Sequence, residues 1–167
     1  MGAKQETCCF TGHRPEKLPW GYNESDPRCV ELKAQIHTAV EAAYREGYRC
    51  FLCGMAAGCD LYFCESVLRL REQFPDISIE AAIPCPEQPD SWPPEQQRRY
   101  HRLLDACNLH TMVSHRYTPA CMLRRDRYMV DHSSLLIAVY NGSRGGTRYT
   151  LEYAMRRGLQ IVDLRAE

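Results

Sequence analysis

Residues 135–154 read "LLIAVYNGSRGGTRYTLEYA". Six apolar or aromatic residues run without a polar break and end at Asn141-Gly142. Ser-Arg-Gly-Gly-Thr follows, and then residues of helical character. A run of that length bounded by a turn signal predicts a strand buried on both faces, over 135–140. The segment 147–157 predicts the helix after it. A buried strand that passes through glycines straight into a helix is one half of a βαβ unit, and the rest of the chain repeats the pattern.

Moving toward the N-terminus, strands are predicted at 6–11, 48–53, 77–83 and 109–114. Beyond the opening stretch another is predicted at 159–164. Between them lie helices at 29–46, 61–74 and 95–107, and a polar segment, 115–133, that is at least partly helical. In the first helix the apolar positions Val30, Ile36, Val40, Ala43 and Tyr44 carry the helical spacing, and Gly47 ends it. The strands are continuous apolar runs with no polar alternation, the mark of a parallel sheet covered on both sides. The fold class expected is α/β, a Rossmann-like three-layer sandwich with a mostly parallel sheet, right-handed crossovers and one domain over 1–167.

The bulk numbers bound the function. A chain of 167 residues is long enough to bury roughly 70% of its unfolded surface without a staple. Lys plus Arg and Asp plus Glu both number 21, so the formal net charge is zero. That balance argues against a protein that grips nucleic acid, which usually needs a basic excess; nucleic acid is not an expected partner. No run approaches a membrane span and the start, "MGAKQETCCF", has no signal-peptide core. A cytoplasmic chain without a membrane partner is expected. Ten cysteines suggest a disulfide framework, but their apolar strand and helix contexts suggest small buried hydrophobes. Cys50 and Cys53 have C-x-x-C spacing, yet on a strand residues three apart face opposite sides. His101, His110, His115 and His132 have no ligand spacing with one another. No metal and no cofactor are expected.

Three loops leave the C-terminal ends of strands, where open α/β sheets bind ligands. They are "TGHRP" with Thr11, Gly12, His13 and Arg14; "GMAAGCD" with Gly54, Met55, Ala56, Gly58 and Asp60; and "NGSRGGT" with Gly142, Gly145, Gly146 and Thr147. Glycine lets backbone approach a ligand, and the helix that follows offers free N–H groups and a positive dipole end. The pairing suits a phosphate or diphosphate. Such glycines also serve ordinary tight turns; the recurrence at one predicted sheet edge favours a site. Neither G-x-G-x-x-G nor a Walker A sequence is present, which argues against a standard dehydrogenase or ATPase. His13 and Arg14 suit base or phosphate recognition. Asp60 suits either a helix cap or ribose hydroxyls. Arg124, Arg125 and Arg127 read as a solvated helix face or a phosphate clamp, and Arg125 and Arg127 cannot share one face.

"TGHRPEKL", "GMAAGCD", "RDRYMVDHSSLLIAVYNGSRGGTRYTLEYA" and "GLQIVDL" together resemble the YpsA-like family of the SLOG superfamily, related to DNA-processing protein A and the Lonely-guy proteins. The resemblance covers nearly the whole chain. It implies a Rossmann-like fold, a nucleotide-derived small molecule as ligand (ADP-ribose- or NAD-like), a sensor or regulatory role and a homo-oligomer. Met and Tyr residues of 117–129 are candidates for an interface. Enzymes of the superfamily cleave the N-glycosidic bond of nucleoside monophosphates with a loop G-G-x-G-T-x-x-E, whose glutamate is catalytic. Aligning on the double glycine puts Glu152 at the glutamate position but Arg148 and Tyr149 where Gly-Thr belongs. Aligning on Gly146-Thr147 puts Thr150 there, which removes the carboxylate and makes Thr150 a candidate ligand contact. The second alignment keeps the Gly-Thr that touches phosphate, so the resemblance implies binding more than phosphoribohydrolase catalysis. A single-stranded DNA module is the remaining alternative.

Overall fold

The structure, a computed structural model, describes residues 2–165. Six strands form one sheet: β1 (Thr7–Thr11), β2 (Cys50–Cys53), β3 (Ser78–Ile83), β4 (Leu109–Met112), β5 (Leu135–Val139) and β6 (Gln160–Leu164). Every pairing is parallel, and the order across the sheet is β4-β3-β2-β1-β5-β6. Five helices connect them: α1 (Pro27–Arg45), α2 (Cys59–Gln73), α3 (Pro94–Ala106), α4 (Cys121–Asp131) and α5 (Gly146–Arg156). The Rossmann-like α/β sandwich expected from the sequence is the fold.

The chain lays down β1 to β4 in one direction, then returns to the other side of β1 to add β5 and β6. Right-handed crossovers require the helices to change face when the direction reverses. They do: α1, α2 and α3 cover one face, α4 and α5 the other. The strand residues alternate between two cores although the runs are continuous. Cys8, Phe10, Phe51, Ile79 and Ile137 pack beneath the first three helices. Cys9, Leu52, Ala82, Leu136 and Ala138 meet Met129 and Val130 of α4 and Ala154 of α5. Phe10 and Phe63 stack at 4.6 Å between centroids at the centre of the larger core.

Local chemistry places the helix ends. The Asp26 side chain accepts from the Arg28 N–H at 2.8 Å, and Pro27 occupies the first turn of α1 where a missing N–H costs nothing. Along α1 the buried stripe is Leu32, Ile36, Val40 and Ala43. Val30, expected on that stripe, is 56% exposed; Leu32 takes its place because it lies four residues before Ile36, on the same side of the helix. Helix α2 starts two residues earlier than its apolar pattern suggested, because Gly58 at φ 89° turns the chain directly into it. All ten cysteines are free thiols, eight of them buried. No helix among the described residues is long and apolar enough to cross a membrane.

Candidate functional site

The reversal of strand order falls between β1 and β5. At such a switch point the loops leaving neighbouring strands diverge to opposite faces and open a crevice at the strand C-termini. A cleft of about 370 Å³ lies there. Its walls are the β1 exit loop from Thr11 to Lys17, Ala56 and Asp60 at the start of α2, one side of α4, and Gly146 and Thr147 in the first turn of α5.

Two glycines let these walls meet. A Cβ on Gly12 would come within 2.5 Å of the Cys59 side chain, and one on Gly58 within 2.7 Å of the His13 carbonyl oxygen. The β1 exit loop therefore lies flat on the start of α2, where the Cys59 N–H donates to the His13 carbonyl at 3.1 Å. On its other side the loop is tied to the β5–α5 connection. The Asn141 N–H donates to His13 Nε2 at 3.1 Å. A short turn, Pro15–Lys17, swings Lys17 back so that its Nζ donates to the Arg144 carbonyl.

That hydrogen bond on His13 makes Nε2 an acceptor, so the imidazole is neutral and carries its proton on Nδ1. Burial, and then the Lys17 ammonium, hold its pKa below the ordinary 6.5. The floor of the cleft carries three charged groups. Arg125 is 4% exposed; its Nε donates to Asp126 at 2.7 Å and its Nη1 to the Gly54 carbonyl. Asp60 is buried beside them and accepts from the Ala56 N–H at 3.1 Å. Burial pushes the Asp60 carboxyl up to about 6, against the pull of Arg125. The α4 wall is apolar where Met122, Leu123 and Met129 border the cleft. A rim on which Arg14 and Lys17 outnumber Glu16, hydrogen-bond donors at a helix start and a thioether wall together suit a ligand with an anionic end and a flat apolar end.

Of the residues singled out in the sequence, Thr11, Gly12, His13, Arg14, Ala56, Asp60, Gly146 and Thr147 border this cleft. Gly54, Met55 and Gly58 lie behind it. Gly54 lends its carbonyl to Arg125 and, at 3.2 Å, to Gln88. Met55 is fully buried with φ 60°, a left-handed conformation rare for a side chain of its size. Gly142 and Gly145 shape the β5–α5 loop at φ 91° and 140°. Thr150 is 1% exposed, and its hydroxyl turns back to donate to the Gly146 carbonyl at 2.9 Å. Glu152 stands outside the cleft on the outer surface of α5, 3.7 Å from Arg148. Phe10, Glu16, Lys17, Leu123 and Asp126 border the cleft without having been singled out, and Met122 and Met129, offered from sequence for an interface, border it as well. For Lys17 a signal existed: Pro15 starts a turn that returns the third residue to the loop's own face. The three arginines of α4 separate as their spacing requires. Arg125 enters the floor, Arg124 donates to Ser114 Oγ at 3.2 Å, and Arg127 reaches the Tyr149 hydroxyl.

The model of the YspA SLOG family, YpsA, matches residues 8–161. The chain belongs to that family. This SLOG chain is 31% identical over 144 residues to the SPbeta prophage-derived protein YoqJ of Bacillus subtilis, a match covering 78% of this chain and 84% of that one. It is 27% identical over 154 residues to a UPF0398 protein of Halalkalibacterium halodurans, covering 90% and 81%. The UPF0398 protein YpsA of Bacillus subtilis is 24% identical over 151 residues, covering 89% and 83%. Among solved structures, the SLOG fold superposes on DNA processing protein A of Streptococcus pneumoniae with a TM-score of 0.63 at 16% identity. On DNA processing protein A of Helicobacter pylori, described for its single-stranded DNA binding mode, the score is 0.62 at 14% identity. Each superposition covers 96% of this chain, which spans 50% of the pneumococcal chain and 65% of the other.

One expectation is overturned. Zero net charge argued that nucleic acid is not a partner, yet a protein of this fold binds single-stranded DNA. Net charge is the wrong quantity, because binding responds to the local field. In this SLOG chain Glu24 and Glu65 close ion pairs with Lys33 and Arg99 on the α1–α3 face, while Arg14, Glu16 and Lys17 stand at the rim of the cleft, two cations to one carboxylate.

Proposed function

We propose that the chain binds a nucleotide or nucleotide derivative, of the size of ADP-ribose or NAD, in the cleft between β1 and β5, and acts as a sensor. The observation that carries this reading is the meeting of the α5 first turn with Lys17 and Arg14 on one side of the cleft and an apolar methionine wall on the other. The N–H groups of Gly146 and Thr147 and the two cations are suited to a phosphate or diphosphate. Met122 and Met129 are suited to the face of a base. Neutral His13 is suited to donate from Nδ1, and Asp60 to meet a ribose hydroxyl. The test is a thermal-shift screen with AMP, ADP-ribose and NAD, followed by calorimetry. A ligand at 100 times its Kd adds about 2.7 kcal/mol of stability. A flat screen at millimolar ligand overturns the reading. Free base appearing on incubation with AMP would replace it with a hydrolase.

A second reading, single-stranded DNA as ligand, is supported by the Helicobacter pylori neighbour. A short oligothymidylate added to the same screen separates the two. An oligonucleotide that shifts the melt where mononucleotides do not favours this second reading.

A further inference from the structure

Outside the cleft, α4 and α5 pack side by side and share a ridge that the proposed site does not use. Tyr149 and Tyr153 lie one turn apart on α5 with their rings parallel to within 3° and their centroids 6.3 Å apart. The Arg127 guanidinium reaches across from α4, 5.6 Å and 5.7 Å from the two ring centroids, with its Nε donating to the Tyr149 hydroxyl. Arg156 stands 5.8 Å from the Tyr153 ring. Arg144, Arg148 and Glu152 border a shallow cavity of about 290 Å³ that runs from Gly145 to Tyr149.

The charges on this ridge do not balance. Of its carboxylates, Glu152 is held by Arg148 at 3.7 Å, and Asp131 by Arg157 at 3.4 Å and the Tyr153 hydroxyl at 2.8 Å. Arg127, Arg144 and Arg156 make no ion pair among the described residues. In a chain of zero net charge, this face holds an uncompensated positive field. The ridge also begins where the cleft ends, since Gly145 and Arg148 border the shallow cavity while Gly146 and Thr147 border the cleft.

We propose that the α4–α5 ridge is a track for a single-stranded polynucleotide. Arginines spaced along one edge suit successive phosphates, and half-buried aromatic rings capped by guanidinium groups suit unpaired bases. A duplex hides its base faces, and an acidic peptide has no use for parallel rings, so neither fits the combination as well. The proposal deepens the second reading above by naming its surface. It stands on the α4–α5 side chains and not on the cleft.

The test is fluorescence polarisation of a fluorescein-labelled oligothymidylate with the full chain, at several salt concentrations. Binding is expected to weaken with salt, and Arg144→Glu and Arg127→Ala to flatten the log–log slope by about 0.7 for each lost phosphate contact. Tyr149→Ala is expected to weaken binding between about fivefold and a hundredfold, and Tyr149→Phe, which keeps the ring, to retain most of it. Val30→Ser, exposed on α1 on the other face of the sheet, is the control and is expected to keep ridge-dependent binding. Circular dichroism checks that each variant is folded. Tight binding that ignores Arg144→Glu, Arg127→Ala and Tyr149→Ala overturns the track while leaving the second reading in place. No binding at low salt overturns both. Equal competition by polyglutamate marks an unspecific polyanion surface and also overturns the proposal.

Discussion

Gly146→Leu separates binding from folding more cleanly than any other change in the cleft. Gly146 is the first residue of α5 and borders the cleft. A Cβ built there meets no heavy atom within 4 Å, and its φ is not in the left-handed region. Neither the backbone nor an added Cβ is therefore strained there. Leucine is a better helix former than glycine by up to about 1 kcal/mol, less in a first turn. The melting temperature should hold or rise by no more than about 4 °C, the shift 1 kcal/mol gives in a domain of this size. Binding should collapse. A phosphate seated on the α5 N-terminus accepts charge-assisted hydrogen bonds worth about 1.5–3 kcal/mol each, and a leucine side chain in front of them removes at least one. That is a loss of roughly tenfold to 150-fold. Gly146→Ala should fall between leucine and wild type. Calorimetric titration of whichever nucleotide scores in the screen, paired with thermal melts, reads both quantities. A leucine variant that binds like wild type refutes the placement of the phosphate. A variant that loses binding together with more than about 5 °C of melting temperature refutes the claim that the position is free of strain.

Four further outcomes follow from the same geometry. Asp60 has a folded pKa of about 6 against 3.8 unfolded, so the native state takes up the extra proton between those values and loses stability as pH rises through 6. Asp60→Asn should flatten the dependence of the urea midpoint on pH in that window, by up to about 3 kcal/mol; an unchanged profile refutes it. His13 has the opposite sign: its pKa is lowered, the unfolded chain binds more protons, and stability falls as pH drops below 6.5. Its NMR titration midpoint should lie below that value, and a midpoint above it refutes the effect assigned to burial and Lys17. Gly58→Ala should cost about 1–3 kcal/mol for the positive φ alone, more for the approach to the His13 carbonyl, and a wild-type melt would contradict this. A homodimer, implied by the family resemblance, should give twice the chain mass by light scattering; monomer mass at high concentration rules it out.

The strands were legible because each is an unbroken apolar run closed by glycine, proline or a polar turn, and a parallel sheet with both faces covered demands that. The switch point was harder to see. Nothing in "LLIAVY" says that β5 pairs with β1 and not with β4; that follows only from the reversal that places α4 and α5 on the second face. The glycine loops were legible as a group, but their members divide. Gly146 faces open space, while Gly58 is required by the carbonyl packed against it. A sequence shows the same letter for both. Lys17 was missed because it reaches the cleft only through the turn at Pro15–Lys17, and the α4 methionines because they come from a helix with no glycine loop before it. Thr150 illustrates a limit of motif alignment. Matching Gly146-Thr147 put it at a carboxylate position, but four residues after Gly146 its short side chain is within reach of the Gly146 carbonyl and bonds there.

The distribution of charge in the cleft explains how its walls divide the work. Arg125, Asp126 and Asp60 form the floor, and the Arg125 guanidinium is already committed to a carboxylate and a backbone carbonyl. With Asp60 ionised the floor carries a net negative charge; with Asp60 protonated it is neutral. In neither state does it attract an anion. Its role is to hold the β2 exit loop to α4, since removing one partner of a buried ion pair costs about 3–5 kcal/mol. Under the proposed reading, attraction for a phosphate would come from the rim, where Arg14 and Lys17 outnumber Glu16, and from the first turn of α5. Lys17 is the member whose position is set, because the Arg144 carbonyl holds its ammonium beside Gly145. An anion there meets a cation already in place and pays less ordering entropy than it would with a free lysine. The same bond ties the β1 loop to the β5–α5 loop, so a ligand that draws Lys17 away from Arg144 loosens the connection that leads onto the arginine and tyrosine ridge.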